Sequence, residues 1–397
     1  MILFGLTTVA FAQNIREPNR DQSLNGLKIL VFAEPTNPQL TVKLRIHSGA
    51  AFDPKDKTGV TRLLADAILP DEPTRQFFEE ELNGKITIES NYDFIEITAQ
   101  GGTDDFIRIL DTLQTAVTNT NLTQENFVKL REARIKAINE DLQNPNYIAD
   151  LAVRNRLYGD YPYGKPMNGN AETLAKIDRF DLLTARDKFV TADNATIAII
   201  GNIKPTYANR AVRQLFGNWK KADKLVPATF RQPEPPKTEV LRSNQIVEKS
   251  QVNVAVNGFP RNDKNFFAAQ IFIETLKAKT RKFNSIVHEP HLLRGILIAT
   301  SLDYDESKFE TPKNIFSEST LQTDFEKSKS KIIADFQTKT QSTSTLSEMW
   351  LDADTFRLAP IKEQLKNLNA VTLKDVNNVA ETLNKQPVAS VVLKAQN

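Results

Sequence analysis

Apolar positions recur along this chain in two rhythms. Leu40, Val42, Leu44 and Ile46 alternate with polar neighbours, the period of a strand with one buried face. The apolar run of residues 28–32 precedes them across a turn at Glu34-Pro35-Thr36-Asn37-Pro38. Val60, Leu63, Leu64, Ala67 and Ile68 fall at helical spacing within residues 59–69. The same rhythms predict a short helix over residues 77–82 and a hairpin of 86–88 with 94–99 around Ser90-Asn91. Helices follow over residues 104–117 and 124–142, the second with Thr123 in the capping position. A strand at residues 196–200 ends at Gly201-Asn202, and a helix runs from there to Phe216.

Four prolines between residues 227 and 236 break the pattern. Proline at this density gives extended, semi-rigid backbone. Beyond it the rhythms return: strands at 237–241 and 251–256, a long helix over 265–285, a strand at 295–301, helices over 321–338, 346–358 and 373–383, and a last strand at 388–393. The expected fold is α+β, two homologous domains, each a mostly antiparallel sheet with helices packed on one face. The expected units are an N-terminal domain at 13–225, a Pro-rich linker at 226–238 and a C-terminal domain at 239–397.

Composition narrows the functions. Hydrophobic residues are 40% and charged residues 25%, ordinary for a soluble globular chain of 397 residues. A net charge of +2 gives no electrostatic case for nucleic acid, and no apolar run reaches the length of a membrane span. Absence of cysteine removes disulfides, thiolate metal sites and cysteine nucleophiles. The stretch 1–12 is apolar and ends Ala10-Phe11-Ala12 before Gln13, an A-x-A cleavage signature without a charged leader region. It predicts an exported protein, periplasmic or extracellular, with a start codon upstream. Residues 13–23 then read as a polar mature tail. There is no G-x-S-x-G, phosphate loop or G-x-G-x-x-G. Two sequons, Asn121-Leu122-Thr123 and Asn194-Ala195-Thr196, are chance occurrences unless the pathway is eukaryotic.

The chemistry turns on Arg62-Leu63-Leu64-Ala65-Asp66. The loop Ser48-Gly49-Ala50-Ala51-Phe52-Asp53 through Gly59, the strand Asn83-Gly84-Lys85-Ile86-Thr87-Ile88, the segment Tyr161-Pro162-Tyr163-Gly164-Lys165-Pro166 with Gly169, and residues 195–202 occur in an order that resembles the pitrilysin/insulinase-type metallopeptidases, processing-peptidase-like members above all. That family carries H-x-x-E-H on its first helix. The resemblance puts Arg62 and Asp66 at the two histidine ligands and Ala65 at the catalytic glutamate. A third-ligand glutamate falls at Ala137, with Glu132 and Glu140 nearby. An arginine–tyrosine pair of the second domain falls at His288 and Gly295. Zinc is therefore the family's cofactor and none is expected here, since a guanidinium cannot coordinate a metal. By themselves, Arg62 and Asp66 read as a surface i,i+4 ion pair worth a few tenths of a kcal/mol. His288-Glu289-Pro290-His291 reads as a loop leaving the long helix, its proline spoiling a helical ligand pair.

The resemblance implies domains facing each other as a half-chamber. It also implies that extended peptide adds to a strand edge at Gly84, Lys85, Ile86 and Thr87. The expected role is a non-catalytic homologue, a structural or peptide-holding subunit of an active zinc-peptidase paralogue or of a homodimer. The alternative is a metalloendopeptidase with a shifted metal site. A degenerate product with no retained function is a third possibility, motivated by the missing leader and a shortened region at 70–74.

Overall fold

The computed structural model describes residues 15–69, 71–279, 283–302 and 320–395. The expected export signal at 1–12 and Pro70 of the shortened region lie outside them. Up to the Pro-rich segment the elements are β1 (Asn19–Gln22), β2 (Lys28–Ala33), β3 (Gln39–Ile46), α1 (Val60–Ile68), α2 (Glu72–Glu80), β4 (Lys85–Ser90), β5 (Ile95–Gly102), α3 (Phe106–Thr118), α4 (Gln124–Asp141), α5 (Pro145–Tyr158), α6 (Ala171–Lys176), α7 (Arg179–Phe189), β6 (Ala195–Gly201) and α8 (Pro205–Phe216). Beyond it come β7 (Leu241–Val247), β8 (Gln251–Gly258), α9 (Phe266–Lys279), β9 (Ser285–Pro290), β10 (Gly295–Leu302), α10 (Gln322–Lys339), α11 (Thr343–Thr355), α12 (Ile361–Ala370), α13 (Leu373–Asn384) and β11 (Ala389–Ala395).

The mixed α+β expectation holds. Each half builds one sheet, ordered β1-β2-β6-β3-β5-β4 and β7-β11-β8-β10-β9. Without β1 the two orders are equivalent strand for strand. Each has one parallel pair, β2 with β6 and β7 with β11, among antiparallel ones. The duplication that the sequence pattern suggests is therefore a repeat of topology. Among the described residues no helix is long and apolar enough to cross a membrane.

Each half packs its own helices on one face of its sheet, as expected, and the central strands are buried on the second face as well. In β2, Ile29 and Val31 enter the core of the first half, while Leu30 points into the core of the second. In β6, Ile197 and Ile199 divide from Ala198 and Ile200 in the same way. Helix α11 of the second half lies across β6 and β3, and α5 of the first half lies across β8 and β11. Each half thus finishes the other's sheet.

This explains the polar positions of β3. Lys43 and Arg45 look solvent-facing by alternation, yet both are buried. Glu96 on β5 accepts from Lys43 Nζ at 2.9 Å and from Arg45 Nε at 2.7 Å. From α11, Glu348 reaches Lys43 at 2.6 Å and Asp352 reaches Arg45 at 2.6 Å. Arg45 also stacks its guanidinium 3.8 Å from the Phe94 ring centre. A buried charge costs several kcal/mol unless paired and hydrogen-bonded, and here every charge is.

Several local expectations change. Part of the polar tail forms β1, paired antiparallel with β2. The helix expected at 77–82 begins earlier: the Asp71 carboxylate accepts from Thr74 N and a proline occupies its first turn. The strand expected at 237–241 lies at Leu241–Val247. The long helix ends at Lys279, and Ser285–Pro290 is the strand β9. His288, Glu289 and Pro290 are therefore strand residues and not a loop leaving the helix.

Candidate functional site

Helix α1 is started by a residue outside it. Asp53 accepts from Gly59 N at 2.7 Å, Thr61 N at 3.0 Å and Thr61 Oγ1 at 2.6 Å, satisfying amides that the helix cannot. Gly59 takes φ of 102°, a left-handed conformation that favours glycine. Burial is the main reason that the Asp53 carboxyl is pushed up to about 6. One face of α1 carries Val60, Leu63, Leu64 and Ala67 into the core. Arg62 and Asp66 lie toward α4.

There the structure revises the surface-pair reading. Arg62 Nη2 meets Asp66 Oδ1 at 3.0 Å, as the spacing predicts. Arg134 of α4 adds a fork to the same carboxylate, with Nη2 at 2.7 Å from Oδ1 and 2.6 Å from Oδ2, and Nε at 3.0 Å from Oδ2. The side chains are only 13% exposed for Asp66 and 16% for Arg134, so the pair is largely withdrawn from water. Ala137 follows Arg134 by three residues on the same face and brings no polar atom. Ala65 is fully buried in the core. Glu132 and Glu140 point away into solvent. Arg134 was not singled out in the sequence. Its signal is a cation placed among Phe127, Leu130 and Ile138, which pack toward the core on α4.

This arrangement does not fit zinc. The metal needs lone-pair donors, and a guanidinium has none. Two guanidinium groups around one carboxylate leave a local excess of positive charge, which repels a dication. Ala65 offers no general base for a water. Among the described residues no group of three or more His, Asp or Glu side chains could hold a metal ion.

The histidines serve elsewhere. His288 on β9 receives the Gln270 amide on Nδ1 at 2.9 Å and faces Phe259 O with Nε2 at 3.1 Å. Burial holds it down to about 4. Its ring fills a slot left by two glycines: a Cβ on Gly258 would approach Cδ2 to 2.7 Å, and one on Gly295 would approach Nε2 to 2.9 Å. His288 and Gly295 are thus neighbours, and the pair is a packing device. His47 lies between Thr355 Oγ1 at 3.0 Å and Thr196 Oγ1 at 2.9 Å, and burial holds it down to about 3. His291 Nδ1 bonds Asp93 Oδ2 at 2.9 Å. Asp93 also accepts from Tyr163 Oη at 2.9 Å and Leu292 N at 3.2 Å, so the Tyr-Pro-Tyr-Gly segment joins hairpin turns of both halves.

Of the candidate peptide edge, Lys85, Ile86 and Thr87 lie on β4. Among the described residues β4 is the terminal strand of its sheet, paired only with β5, and α1 packs beside it. Ile86 points into the core while Lys85 is exposed. Gly84 precedes the strand, where a Cβ would come to 2.1 Å from Gln100 O.

Comparison with known proteins completes the picture. Residues 28–170 match the family model described as Insulinase (Peptidase family M16), and residues 176–292 match the Peptidase M16 inactive domain. An uncharacterized zinc protease of Rickettsia felis is 22% identical over 213 residues, 52% of each chain. Cytochrome b-c1 complex subunit 1 of Saccharomyces cerevisiae mitochondria is 23% identical over 258 residues, 63% of this chain and 56% of that protein. A non-peptidase homolog of Helicobacter pylori is 20% identical over 192 residues, 46% and 44% of the two chains. The chain thus spans about half the length of the curated relatives that it matches. The crystal structure of a peptidase M16 inactive domain from Pseudomonas fluorescens superposes with a TM-score of 0.80 at 16% identity, covering 96% of this chain and 98% of that one.

Proposed function

The chain belongs to the insulinase family of peptidases, family M16, and from that premise we propose that it is a non-catalytic member, a structural or peptide-holding subunit that pairs with an active relative carrying H-x-x-E-H. The observation that carries the reading is the Asp66 carboxylate, forked by Arg134 and paired with Arg62, at the positions to which the resemblance assigns the family's metal ligands. These residues give α1 and α4 an ionic clasp in place of a ligand set. The yeast relative, a subunit of the cytochrome b-c1 complex, supports a subunit role. The edge of β4 beside α1, unpaired among the described residues, supports extended peptide as the thing held, by strand addition. Export, with cleavage before Gln13, is part of the proposal and rests on Ala10-Phe11-Ala12.

The test is to purify the exported chain alone and with a genomically adjacent H-x-x-E-H relative. Expected are a stable heteromer, altered peptidase activity of the relative, and no tightly bound zinc in this chain. About one zinc retained per chain on metal analysis overturns the non-catalytic reading. A chain that neither associates with the relative nor changes its activity overturns the pairing.

A further inference from the structure

The Pro-rich connector roofs a cavity of about 950 Å³ that the peptidase-like site does not use. Its floor is the turn after α5 and the Tyr161–Lys165 stretch. One wall is residues 51–53, another Lys188 and Phe189, and the roof is residues 226–237. The roof is held at its middle, where Arg294 donates to Gln232, and just past its end, where Arg156 donates to Glu239.

Two features make this a shaped site. The first is aromatic. Phe52 packs 5.1 Å from Phe189 and 5.5 Å from Phe230, and Tyr161 lies 6.3 Å from Phe230, so roof and walls meet through rings. The second is an unanswered cation. Lys165 is half-buried, and nearby carboxylates act on its ammonium through space and not through a hydrogen bond. Burial, helped by Lys55, holds it below the ordinary lysine range, although Asp160, Asp53 and Asp56 oppose that. Asp160 is already engaged by Lys55, and Asp53 by the start of α1. Lys188, 5.1 Å from the Phe189 ring centre, adds a second positive group.

We propose that this cavity binds an organic carboxylate joined to a bulky apolar or aromatic group, with the carboxylate on Lys165 and the apolar body among Phe52, Phe189 and Phe230. The volume is that of an ordinary small-ligand site, and its lining joins a cluster of rings to lysine and arginine side chains. A free aromatic acid and the last residue of a peptide share this chemistry. The inference stands apart from the reading of the α1–α4 clasp, and neither test touches the other.

Calorimetric titration of the whole chain decides it, with N-acetyl-phenylalanine, its amide, the tripeptide Ala-Ala-Phe and that tripeptide's amide as probes. Both acids bind, and each amide binds weaker by about tenfold or more, the loss expected for a charge-assisted hydrogen bond. Lys165→Met loses affinity for the acids by a similar factor while its melting temperature stays that of the parent. Equal affinities for the two acids identify a free acid as the ligand, and a clear gain for the tripeptide identifies a peptide terminus. Failure of both acids to bind at millimolar concentration, or equal binding of acid and amide, overturns the proposal. So does a folded Lys165→Met variant with unchanged affinity. Should that variant not fold, the comparison of acid with amide on the parent chain still decides.

Discussion

Replacing Asp66 by alanine separates two physical descriptions of the same three side chains. As an exposed i,i+4 pair, Arg62 and Asp66 contribute a few tenths of a kcal/mol. As built, the carboxylate takes three N–O contacts of 2.6–3.0 Å from Arg134 and another of 3.0 Å from Arg62. Unit charges about 4 Å apart attract by about 4 kcal/mol at an effective dielectric of 20, and partial desolvation takes back much of that. Asp66→Ala, however, removes only the anion. It leaves Arg134 at 16% exposure and Arg62 at 24%, facing each other without a counter-charge. The expected loss is about 2–3 kcal/mol, below the roughly 3–5 of a fully buried pair. For a unit of this size that is roughly 5–10 °C in melting temperature. Urea unfolding followed at Trp219, buried in the core of the first half, reads it locally. Arg134→Met alone costs less, because Arg62 still pairs the carboxylate. The double variant Asp66→Leu, Arg134→Met recovers most of the loss. A loss for Asp66→Ala under about 0.5 kcal/mol, with no coupling to Arg134, refutes the clasp and restores the surface pair.

Two further outcomes follow from buried charge. Glu96→Gln leaves Lys43 and Arg45 buried without their shared carboxylate and costs about 3–5 kcal/mol in denaturant unfolding, whereas Glu348→Gln, whose carboxylate is 45% exposed, costs under about 1 kcal/mol. The second outcome concerns pH: His47 and His288, held near 3 and 4 when folded, take up protons on unfolding from their ordinary value of 6.5 downward. The unfolded state binds more protons in that window, so stability falls as pH drops from about 6.5 toward 4, by on the order of 3 kcal/mol for each histidine. Asp53 acts in the opposite sense between its ordinary 3.8 and about 6, binding its proton more readily when folded, and offsets part of the loss. Unfolding free energies of the parent and of His288→Gln across this range check the sign, and an unchanged slope in the variant contradicts it.

How much of this was legible depended on what each residue answers to. Strand alternation at 40–46 and helical spacing at 60–68 are local, and β3 and α1 stand where they predict. The boundary of α2 was governed by Asp71 and the proline after it, capping chemistry that apolar periodicity does not carry. The Ser285–Pro290 strand was hidden because Ile286 and Val287 are too short an apolar run to mark a strand and the His-Glu-Pro that follows them reads as a loop. Lys43 and Arg45 could not be read as buried, because the groups that bury them, Glu348 and Asp352, lie on α11 far along the chain. At the candidate site, Arg62 and Asp66 were visible as departures from a motif. Arg134 was not, since its meaning comes only from the packing of α4 on α1.

The exchange of helices between halves also sets a timetable for synthesis. Arg45 and its partner Asp352 are 307 residues apart. At about 5–20 residues per second, the ribosome needs about 15–60 s between making one and making the other. For that interval the second face of the first sheet has nothing to cover it, with a lysine, an arginine and a glutamate held against apolar neighbours. A nascent chain of this design passes through a long stage in which half of it is assembled but unsealed. Its yield in a cell is therefore set by how well that stage is shielded as much as by the stability of the finished molecule.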